Sequence, residues 1–318
     1  MDEPSPSTDR LRALLDAGEE TEAAACLSAF ESTEVGAALR ALRSLAEEQP
    51  TAVTGLLDTV PEYLTHEDRS VRLTTAKLFA TVAASEPPAV RPFAPPLADR
   101  LADESEFYFV RARAAEALGY VARELPDDVV TPEILAELTV GLAVDQPEVR
   151  ERLAKALECV AVGNPDRLRH RVRTLAGHLD DDNALVRYHL CSALVAVGSV
   201  APGELSEAAP ALADRLDDPE AAVRGRAAEA FGTGIEGPTE QLRRCRDDDA
   251  FVAARARFAL SQGTDDAGTP PLGTPESVRE TTGAAVDSIR SPEGECGNCG
   301  QSLPESGPPT CPRCGAPY

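Results

Sequence analysis

Large and aromatic side chains are scarce in this sequence of 318 residues. It has no Trp, one Met, eight Phe and five Tyr, so a hydrophobic core must be built mainly from Ala, Leu and Val. Long apolar runs are also missing, and none approaches the roughly 20 residues that a membrane helix needs. Residues Met1–Arg10 lack the charged-then-apolar order of a signal peptide. We therefore expect a cytoplasmic protein with no membrane partner.

Basic residues are outnumbered by acidic ones, and nearly all of them are Arg. The chain has 31 Lys and Arg against 54 Asp and Glu, a net charge of −23, and its only lysines are Lys77 and Lys155. Such acidity argues against a protein that coats nucleic acid, because phosphate neutralisation needs a basic surface. Arg in place of Lys, with acidic residues in excess along the whole chain, is typical of adaptation to a salt-rich cytoplasm. The sequence therefore indicates an extreme halophile.

A Val-Arg pair recurs at intervals of 37 to 39 residues. With each Arg taken as position zero, position +4 is Ala or Cys, position +7 is Leu or Phe, and position +10 is Val in four of five copies. The pairs are Val71-Arg72, Val110-Arg111, Val149-Arg150, Val186-Arg187 and Val223-Arg224. These spacings line one face of a helix, and units this short bury that face only by stacking. The sequence thus predicts an all-α solenoid.

Each repeat is predicted to contain two helices. The second helix begins at an acidic turn, where an Asp side chain can accept hydrogen bonds from free N–H groups. These turns contain Asp68, Asp103, Asp145, Asp180–Asp182 and Asp217-Asp218. Pro147 and Pro219 suit the first turn of the second helix. The first helix is predicted as one continuous stretch, as in Pro132–Val144, Leu168–Leu179 and Leu205–Leu216.

The segment Asp145–Val160, DQPEVRERLAKALECV, resembles the HEAT repeat in its short prokaryotic, PBS-lyase-like form. The resemblance extends over about residues 34–262, and it implies an armadillo-type superhelix that mediates protein–protein interaction. The copy containing Ala253 and Arg257 departs from the pattern, as do the helices within Thr8–Phe30. Such departures are expected of capping units, which turn one face to water.

The sequence divides into four predicted regions. These are a disordered N-terminus at residues 1–10, a HEAT-repeat solenoid at 11–262, a flexible linker at 263–294 and a zinc ribbon at 295–318. The linker is rich in Gly, Thr, Ser, Pro and Asp. Within it, Val278, Val286 and Ile289 give a weak apolar spacing that leaves room for one short helix.

The eight cysteines divide into two groups of four. Those that occur singly in predicted helices are interpreted as small buried hydrophobic residues; they are Cys26, Cys159, Cys191 and Cys245. The others form two C-x-x-C pairs, each followed by Gly; they are Cys296, Cys299, Cys311 and Cys314. Four converging thiolates suit tetrahedral Zn²⁺ and leave no open position for water, so we expect one structural zinc. Disulfides are disfavoured in a cytoplasmic protein.

The tail containing these pairs resembles a zinc ribbon, a module that binds either protein or nucleic acid. Its cysteine spacing does not distinguish the two kinds of partner.

Motifs for catalysis are missing. The sequence has no G-x-G-x-x-G, no G-x-x-x-x-G-K-[ST], no H-E-x-x-H and no G-x-S-x-G. Its four histidines have no metal-ligand spacing; they are His66, His170, His178 and His189. Some HEAT-repeat proteins are bilin lyases, but that comparison depends on fold analogy alone. We therefore predict that the protein is not an enzyme, and a bilin-lyase-like enzyme is the least favoured alternative.

Two sets of Arg differ in their predicted roles. An Arg at position zero falls inside the apolar arc of the second helix, where it must pair with a carboxylate of an acidic turn. Position +2 lies outside the arc and contains Thr74, Arg113, Arg152, His189, Arg226 and Arg255. These side chains predict a cationic stripe on the concave, second-helix face. Glu116 and Glu229 follow two of these Arg residues by three positions, which also permits a purely structural role.

Three consecutive aromatic residues lie in the turn before one second helix: Phe107, Tyr108 and Phe109. We expect one ring to pack inward and the others to anchor a partner. The leading hypothesis is a non-catalytic scaffold that binds a protein on its second-helix face. The predicted partner-binding residues are Arg113, Arg152, His189, Arg226, Phe107, Tyr108 and Phe109. The alternative is a nucleic-acid-associated regulatory factor that uses the zinc ribbon and the Arg stripe.

We predict that the purified protein holds one zinc ion per chain. Elemental analysis under reducing conditions measures this directly, and a protein without zinc contradicts the prediction. Replacing Cys311 with Ser should abolish zinc binding because a tetrahedral site needs all four ligands. The matched control is Cys245→Ser, which should leave the zinc content unchanged.

Overall fold

A computed structural model describes residues 5–261 and 271–290. Within these ranges the secondary structure is entirely helical, and no strand occurs. The chain forms two compact units, unit 1 at residues 1–164 and unit 2 at residues 165–318. The all-α class predicted from the repeat spacing is confirmed for the described part of the chain.

Unit 1 contains ten α-helices and four 3₁₀ segments in its described part. The helices are α1 (Thr8–Asp16), α2 (Glu20–Ser28), α3 (Val35–Glu48), α4 (Arg69–Ser85), α5 (Pro87–Val90), α6 (Ala94–Ala102), α7 (Tyr108–Glu124), α8 (Pro126–Val129), α9 (Pro132–Val140) and α10 (Pro147–Gly163). The 3₁₀ segments are Pro50–Thr59, Pro61–Thr65, Arg91–Phe93 and Gly141–Ala143. Helices α3, α4, α7 and α10 pack side by side as the second helices of successive repeats.

Unit 2 contains eight α-helices and four 3₁₀ segments in its described part. The helices are α11 (Val172–Ala176), α12 (Ala184–Val200), α13 (Pro202–Leu205), α14 (Ala209–Asp214), α15 (Ala221–Gly232), α16 (Thr239–Arg244), α17 (Ala250–Leu260) and α18 (Pro275–Arg290). The 3₁₀ segments are Pro165–Arg171, Ser206–Ala208, Arg215–Asp217 and Cys245–Asp247. Helices α12, α15 and α17 are its second helices, and α18 packs against α12 and α15.

The prediction of continuous first helices is wrong. In place of Leu205–Leu216 the structure has α13, a 3₁₀ turn, α14 and a second 3₁₀ turn. Leu168–Leu179 is divided between a 3₁₀ segment and α11, and Pro132–Val144 ends in a 3₁₀ turn after α9. Proline recurs at the first positions of these pieces. Because proline lacks an N–H and its ring clashes with the preceding turn, it starts helices and interrupts those that would run through it.

The periodic positions of the second helices form the core, as predicted. Ala76, Ala115 and Ala228 at position +4 are fully buried, as are Val82 and Val197 at position +10. Small residues let neighbouring helices approach closely. At Gly119 of α7, an added Cβ would lie 2.7 Å from the Cα of Ala156 in α10, so a larger residue there would push the two helices apart.

The acidic turns start the second helices in more than one way. Asp68 and Asp249 cap α4 and α17 directly by accepting a backbone N–H. Asn183 plays this role for α12. In the turn before α15, Asp218 accepts the N–H of Glu220 at 3.0 Å, although Glu220 is the residue that precedes the helix. Pro147 begins α10 as predicted, whereas Pro219 lies outside α15, which begins at Ala221.

Three of the five Arg residues at position zero, Arg72, Arg187 and Arg224, join their own turn to a carboxylate in the turn of the next repeat, as the apolar arc required. In Arg187, Nη1 donates to the carbonyls of Asp181 and Asp182. The same side chain donates Nε and Nη2 to both oxygens of Asp218, at 2.8 and 2.9 Å. Arg72 pairs in the same way with Glu106, and Arg224 with Asp248. The carboxylate therefore belongs to the following repeat, so this Arg ladder links successive repeats within each unit.

Two regions predicted to lack structure contain helices. Helix α1 begins at Thr8, inside the range 1–10 expected to be disordered, and Ser7 caps it. Helix α18 occupies residues 275–290 of the range 263–294 expected to be a flexible linker. Its Val278 and Ala285 are buried against unit 2. This is the one helix that the apolar spacing of Val278, Val286 and Ile289 allowed within the linker, and tertiary packing on α12 and α15 stabilises it.

We predict that Asp218→Asn destabilises the protein by about 3 to 5 kcal/mol, because it leaves the buried Arg187 guanidinium without its carboxylate. The free energy of unfolding from urea titrations measures this. The control is Asp217→Asn, whose side chain is 64% exposed; it should cost less than about 1 kcal/mol. Equal effects of the two substitutions would show that the Arg ladder does not stabilise the stack of repeats.

Candidate polypeptide-binding face

The second-helix face is the surface formed by the second helices of successive repeats, on the side that carries position +2. One arrangement of charges occurs on it in both units. A Glu at position +5 lies between the Arg at +2 of its own repeat and the Arg at +2 of the next repeat. In unit 1 these residues are Arg113, Glu116 and Arg152; in unit 2 they are Arg226, Glu229 and Arg255.

In unit 1, Glu116 is the centre of a set that we name the Glu116 cluster: Arg113, Glu116, Arg152 and Lys155. Arg113 Nη1 lies 2.7 Å from Glu116 Oε2, and Arg152 Nη1 lies 3.3 Å from the same oxygen. Lys155 Nζ donates to Oε1 at 3.1 Å and also to the hydroxyl of Tyr120. The three cationic side chains are 20 to 25% exposed, whereas Glu116 is 6% exposed. At this cluster, solvent reaches the three cationic side chains but hardly reaches Glu116.

In unit 2, the corresponding set is the Arg226 triad: Arg226, Glu229 and Arg255. Arg226 Nη1 and Arg255 Nε each lie 2.7 Å from Glu229 Oε2. Arg226 also donates to the hydroxyl of Tyr188, and the guanidinium of Arg255 lies 3.4 Å from the ring centroid of Phe251. The side chains of Arg226 and Glu229 are fully buried. The triad thus has the Arg-Glu-Arg arrangement of the Glu116 cluster without its lysine and without its exposure.

Helix α18 covers the Arg226 triad and completes its hydrogen bonds. Glu229 Oε1 accepts the hydroxyl of Ser277 at 2.6 Å and the backbone N–H of Gly273 at 2.9 Å. Arg226 Nη2 donates to the carbonyl of Val278 at 3.1 Å and to the hydroxyl of Thr281 at 2.6 Å. Both partners of the central ion pair therefore bind α18 or the turn before it.

The turn before α18 requires a glycine. Gly273 has φ +76°, and an added Cβ would lie 2.7 Å from the Phe258 ring. Because L-residues rarely adopt this backbone conformation, Gly273 allows its N–H to reach Glu229 while the chain passes the ring.

The electrostatics of the two glutamates follow from these contacts. Burial opposes ionisation of Glu229, but the charges of Arg226 and Arg255 and the bonds from Ser277 and Gly273 lower its pKa from 4.5 to about 2. Burial likewise opposes ionisation of Glu116, but the charges of Lys155, Arg152 and Arg113 outweigh it and lower its pKa. Burial also lowers the pKa of Arg113, and the neighbouring charge of Arg152 acts in the same direction. Unit 1 therefore concentrates positive charge at its face.

In the structure, the residues of the predicted cationic stripe fall into a partly exposed group and a buried group. Arg113 and Arg152 are brought together around Glu116, within reach of solvent. Arg226 and His189 are completely buried, and Arg226 is bound by α18. This corrects the prediction that Arg226 and His189 form part of an exposed binding stripe. Thr74, also at position +2, donates its hydroxyl to the Ser70 carbonyl of its own helix.

The three aromatic residues form one cluster at the start of α7. Phe107 precedes the helix, while Tyr108 and Phe109 lie in its first turn, and their ring centroids are 4.6 to 5.4 Å apart. All three are half-buried, and none is fully buried. The Arg69 guanidinium lies 4.6 Å from the Phe107 ring centroid. The rings retain exposed edges that stay candidates for partner contact.

The cysteines of the described helices are all buried, as predicted. Burial raises the pKa of Cys191 and that of Cys159 to about 12, so neither thiol ionises near neutral pH. The four predicted zinc ligands, Cys296, Cys299, Cys311 and Cys314, lie outside the described residues. Within residues 5–261 and 271–290, no group of three or more His, Cys, Asp or Glu residues is arranged to hold a metal ion. None of the helices described combines the length and hydrophobicity of a membrane span.

Comparison with known proteins agrees with this architecture. A family model described as HEAT repeats matches residues 135–232. An engineered protein of known crystal structure is similar to this chain, with TM-score 0.62 and 20% identity, over 91% of this chain and 78% of its own. A designed armadillo repeat protein gives TM-score 0.55 and 19% identity over 65% and 99% of the two chains. No curated protein is similar enough in sequence to match.

A second designed armadillo repeat protein, in complex with the peptide (KR)4, has TM-score 0.51 and 20% identity over 73% of this chain and 99% of its own. The chain therefore has an all-α helical-repeat solenoid fold like that of these engineered and designed proteins, and its residues 135–232 match HEAT repeats. The predicted fold class is confirmed at this level.

We predict that Glu229→Gln releases α18 and destabilises unit 2 by about 3 kcal/mol or more, because two buried guanidinium groups lose their carboxylate. The folded-state pKa of Glu229 lies below its ordinary value. Its ionised form therefore stabilises the fold above about pH 4.5, and this contribution is lost as the pH falls towards 2. Melting temperatures of parent and variant should differ most near neutral pH and converge in acid.

The control for this substitution is Glu240→Gln, whose side chain is 82% exposed and pairs only with the exposed Arg243 in the described structure. Its melting temperature should equal that of the parent at every pH. If the difference in melting temperature between the parent and Glu229→Gln stayed constant across the acidic pH range, the role assigned to the ionised carboxylate would be wrong.

Proposed function

We propose that the protein is a non-catalytic scaffold whose second-helix face binds a segment of another protein. One observation carries this proposal: α18 lies on α12 and α15, held by Arg226 and Glu229 through its backbone and hydroxyl groups. The face of unit 2 thus binds a polypeptide helix of its own chain. The peptide in the similar designed armadillo repeat protein supports the same kind of ligand.

Unit 1 is the proposed binding unit for an external partner. Its position +2 residues, Arg113 and Arg152, are partly exposed, whereas the corresponding residues of unit 2 hold α18. The half-buried rings of Phe107, Tyr108 and Phe109 are proposed as apolar anchors at the start of α7, since aromatic residues often carry much of an interface's energy. Arg226 is assigned to holding α18 in place, and His189, which is fully buried, is not proposed as a partner contact.

The C-terminal tail is proposed to hold one structural zinc through its two C-x-x-C pairs. The support is chemical: four thiolates at this spacing match a closed tetrahedral site. The high thiol pKa of Cys159 and Cys191 supports a non-catalytic role for the helical cysteines, because the thiolate is the nucleophile. We further propose that the scaffold works in the cytoplasm of a halophile, an inference that depends on its net charge of −23 and its 29 Arg against two Lys.

Site-specific photo-crosslinking in cells tests the assignment of the face. A crosslinker at Ser85, which is exposed and lines the groove between the second helices of unit 1, should capture the partner. A crosslinker at Val140, 71% exposed on the first-helix piece α9, is the control. Capture of the same protein at Val140 and not at Ser85 would exclude the second-helix face, and loss of capture after nuclease treatment would favour the nucleic-acid alternative.

With the captured partner in hand, Tyr108→Ala should weaken its binding by about 1 to 3 kcal/mol without lowering the melting temperature of the scaffold. The Arg113→Gln, Arg152→Gln double variant should lose more affinity at reduced salt than at molar salt, because exposed charge pairs are screened. Isothermal titration at two salt concentrations measures both effects. Parent-like affinity in both variants would move the interface away from unit 1.

A further inference from the structure

The second-helix face of unit 1 contains an open pocket of about 340 Å³. It lies between the C-terminal halves of α3 and α4 and the middle of α7. Its lining includes the buried Ala46 and Ala80, the exposed Ala84, and Arg113, Glu116 and Tyr120. The pocket therefore combines small apolar residues with side chains of the Glu116 cluster.

Positive charge exceeds negative charge around this pocket. Besides the Glu116 cluster, Lys77 of α4 and Arg43 of α3 lie close enough to act on it electrostatically. Burial lowers the pKa of Lys77, and the charges of Arg113, Arg43 and Arg152 lower it further. Arg43 is 3.6 Å from Glu47, which is 55% exposed. Arg113, Glu116 and Glu47 line the pocket, and Arg152 and Lys155 bond to Glu116. Lys77 lies close enough to Arg113, Arg43 and Arg152 to be affected by their charges, in a chain whose overall charge is −23.

The ligand of such a site must bring hydrogen-bond acceptors. In unit 2, Glu229 Oε1 accepts the donors of Ser277 and Gly273 from the α18 segment. In unit 1, Lys155 Nζ and Arg152 Nη1 both already donate to the equivalent oxygen of Glu116, at 3.1 and 3.4 Å. A second hydroxyl-bearing helix like α18 would therefore find that oxygen occupied. A ligand of the unit 1 pocket must therefore pair with the N–H donors of the cationic side chains.

We propose that this pocket binds an acidic segment of a partner protein, one that places Glu or Asp carboxylates between Lys77, Arg113 and Arg152. The proposal rests on the proposed scaffold function and names the chemistry of its partner. Carboxylates match guanidinium and ammonium groups in charge and geometry. The small residues of the lining accommodate the side-chain methylenes or neighbouring Ala residues of such a segment.

An acidic protein segment fits better than a nucleic acid. Phosphates follow one another every 3.4 Å or so along each strand, so a bound strand needs a continuous cationic track. The cations beside this pocket form a single compact cluster, and the exposed carboxylate of Glu47 borders the same pocket. A segment with a few spaced carboxylates satisfies the cluster without bringing like charges together.

Fluorescence anisotropy with the full-length protein tests the proposal. The probe is a labelled helical peptide of Glu and Ala, and the comparison peptides have Gln or Lys in place of every Glu. We expect the Glu peptide to bind at least about tenfold more tightly than either. Lys77→Gln should weaken its binding about fivefold, and Glu116→Gln should strengthen it, because the competing carboxylate is removed.

Arg91→Gln is the matched control, since it removes one positive charge from unit 1 at a side chain that is 54% exposed and outside the pocket. It should bind the Glu peptide as the parent does. Circular dichroism melting of each variant checks that the fold is intact, and the opposite signs expected for Lys77→Gln and Glu116→Gln exclude a general loss of folding as the cause.

Three outcomes overturn the proposal: equal binding of the Glu and Gln peptides, equal loss in Lys77→Gln and Arg91→Gln, or tighter binding of a single-stranded oligonucleotide with the same dependence on Lys77. If the acidic peptide fails while a crosslinker at Ser85 still captures a protein, the inferred chemistry is wrong and the scaffold function stands. If Ser85 captures nothing and Val140 does, both fail together.

Discussion

The stack of repeats depends on the hydrogen bonds and ion pairs made by the Arg at position zero. One guanidinium bonds two carbonyls of its own turn and both oxygens of a carboxylate in the next repeat, as Arg187 does with Asp218. A core built from Ala, Val and Leu gives helices smooth surfaces with little to fix their register. Bidentate ion pairs have strict geometry, so they set the register that small side chains leave undetermined.

The same residue types serve a second purpose on the opposite edge of these helices. In the Glu116 cluster and the Arg226 triad, a Glu between two Arg residues organises a face that attracts polypeptide. The two sets differ in what completes them: Lys155 in unit 1, and Ser277 with Gly273 in unit 2. The same arrangement of one Glu between two Arg residues therefore occurs on two surfaces. In unit 2 this surface is covered by α18, and in unit 1 it is open to solvent.

The sequence predicted the parts of the fold that repeat. The recurring Val-Arg pair and the Ala, Leu and Val at fixed offsets located the second helices and their core, because burial imposes periodicity. The first helices were misjudged because each proline interrupts them locally. The apolar spacing of Val278, Val286 and Ile289 allowed a helix at α18, but its docking on unit 2 was not predicted, because that depends on tertiary contacts of Ser277 and Thr281. The repeat pattern identified Arg113 and Arg152 as candidate binding residues at position +2. It did not identify Lys77, because the role proposed for Lys77 depends on cationic side chains that only the folded structure brings near it.

Because α18 belongs to the same chain as the surface it covers, its docking is an intramolecular reaction. The effective concentration of a tethered ligand is on the order of millimolar or higher, and no free peptide reaches that level in a cell at ordinary abundance. A weak set of contacts at the Arg226 triad is thus enough to keep unit 2 occupied by its own tail. Under the proposed function, external segments compete only for unit 1, so the covalent connection of one helix sets how many segments the protein binds.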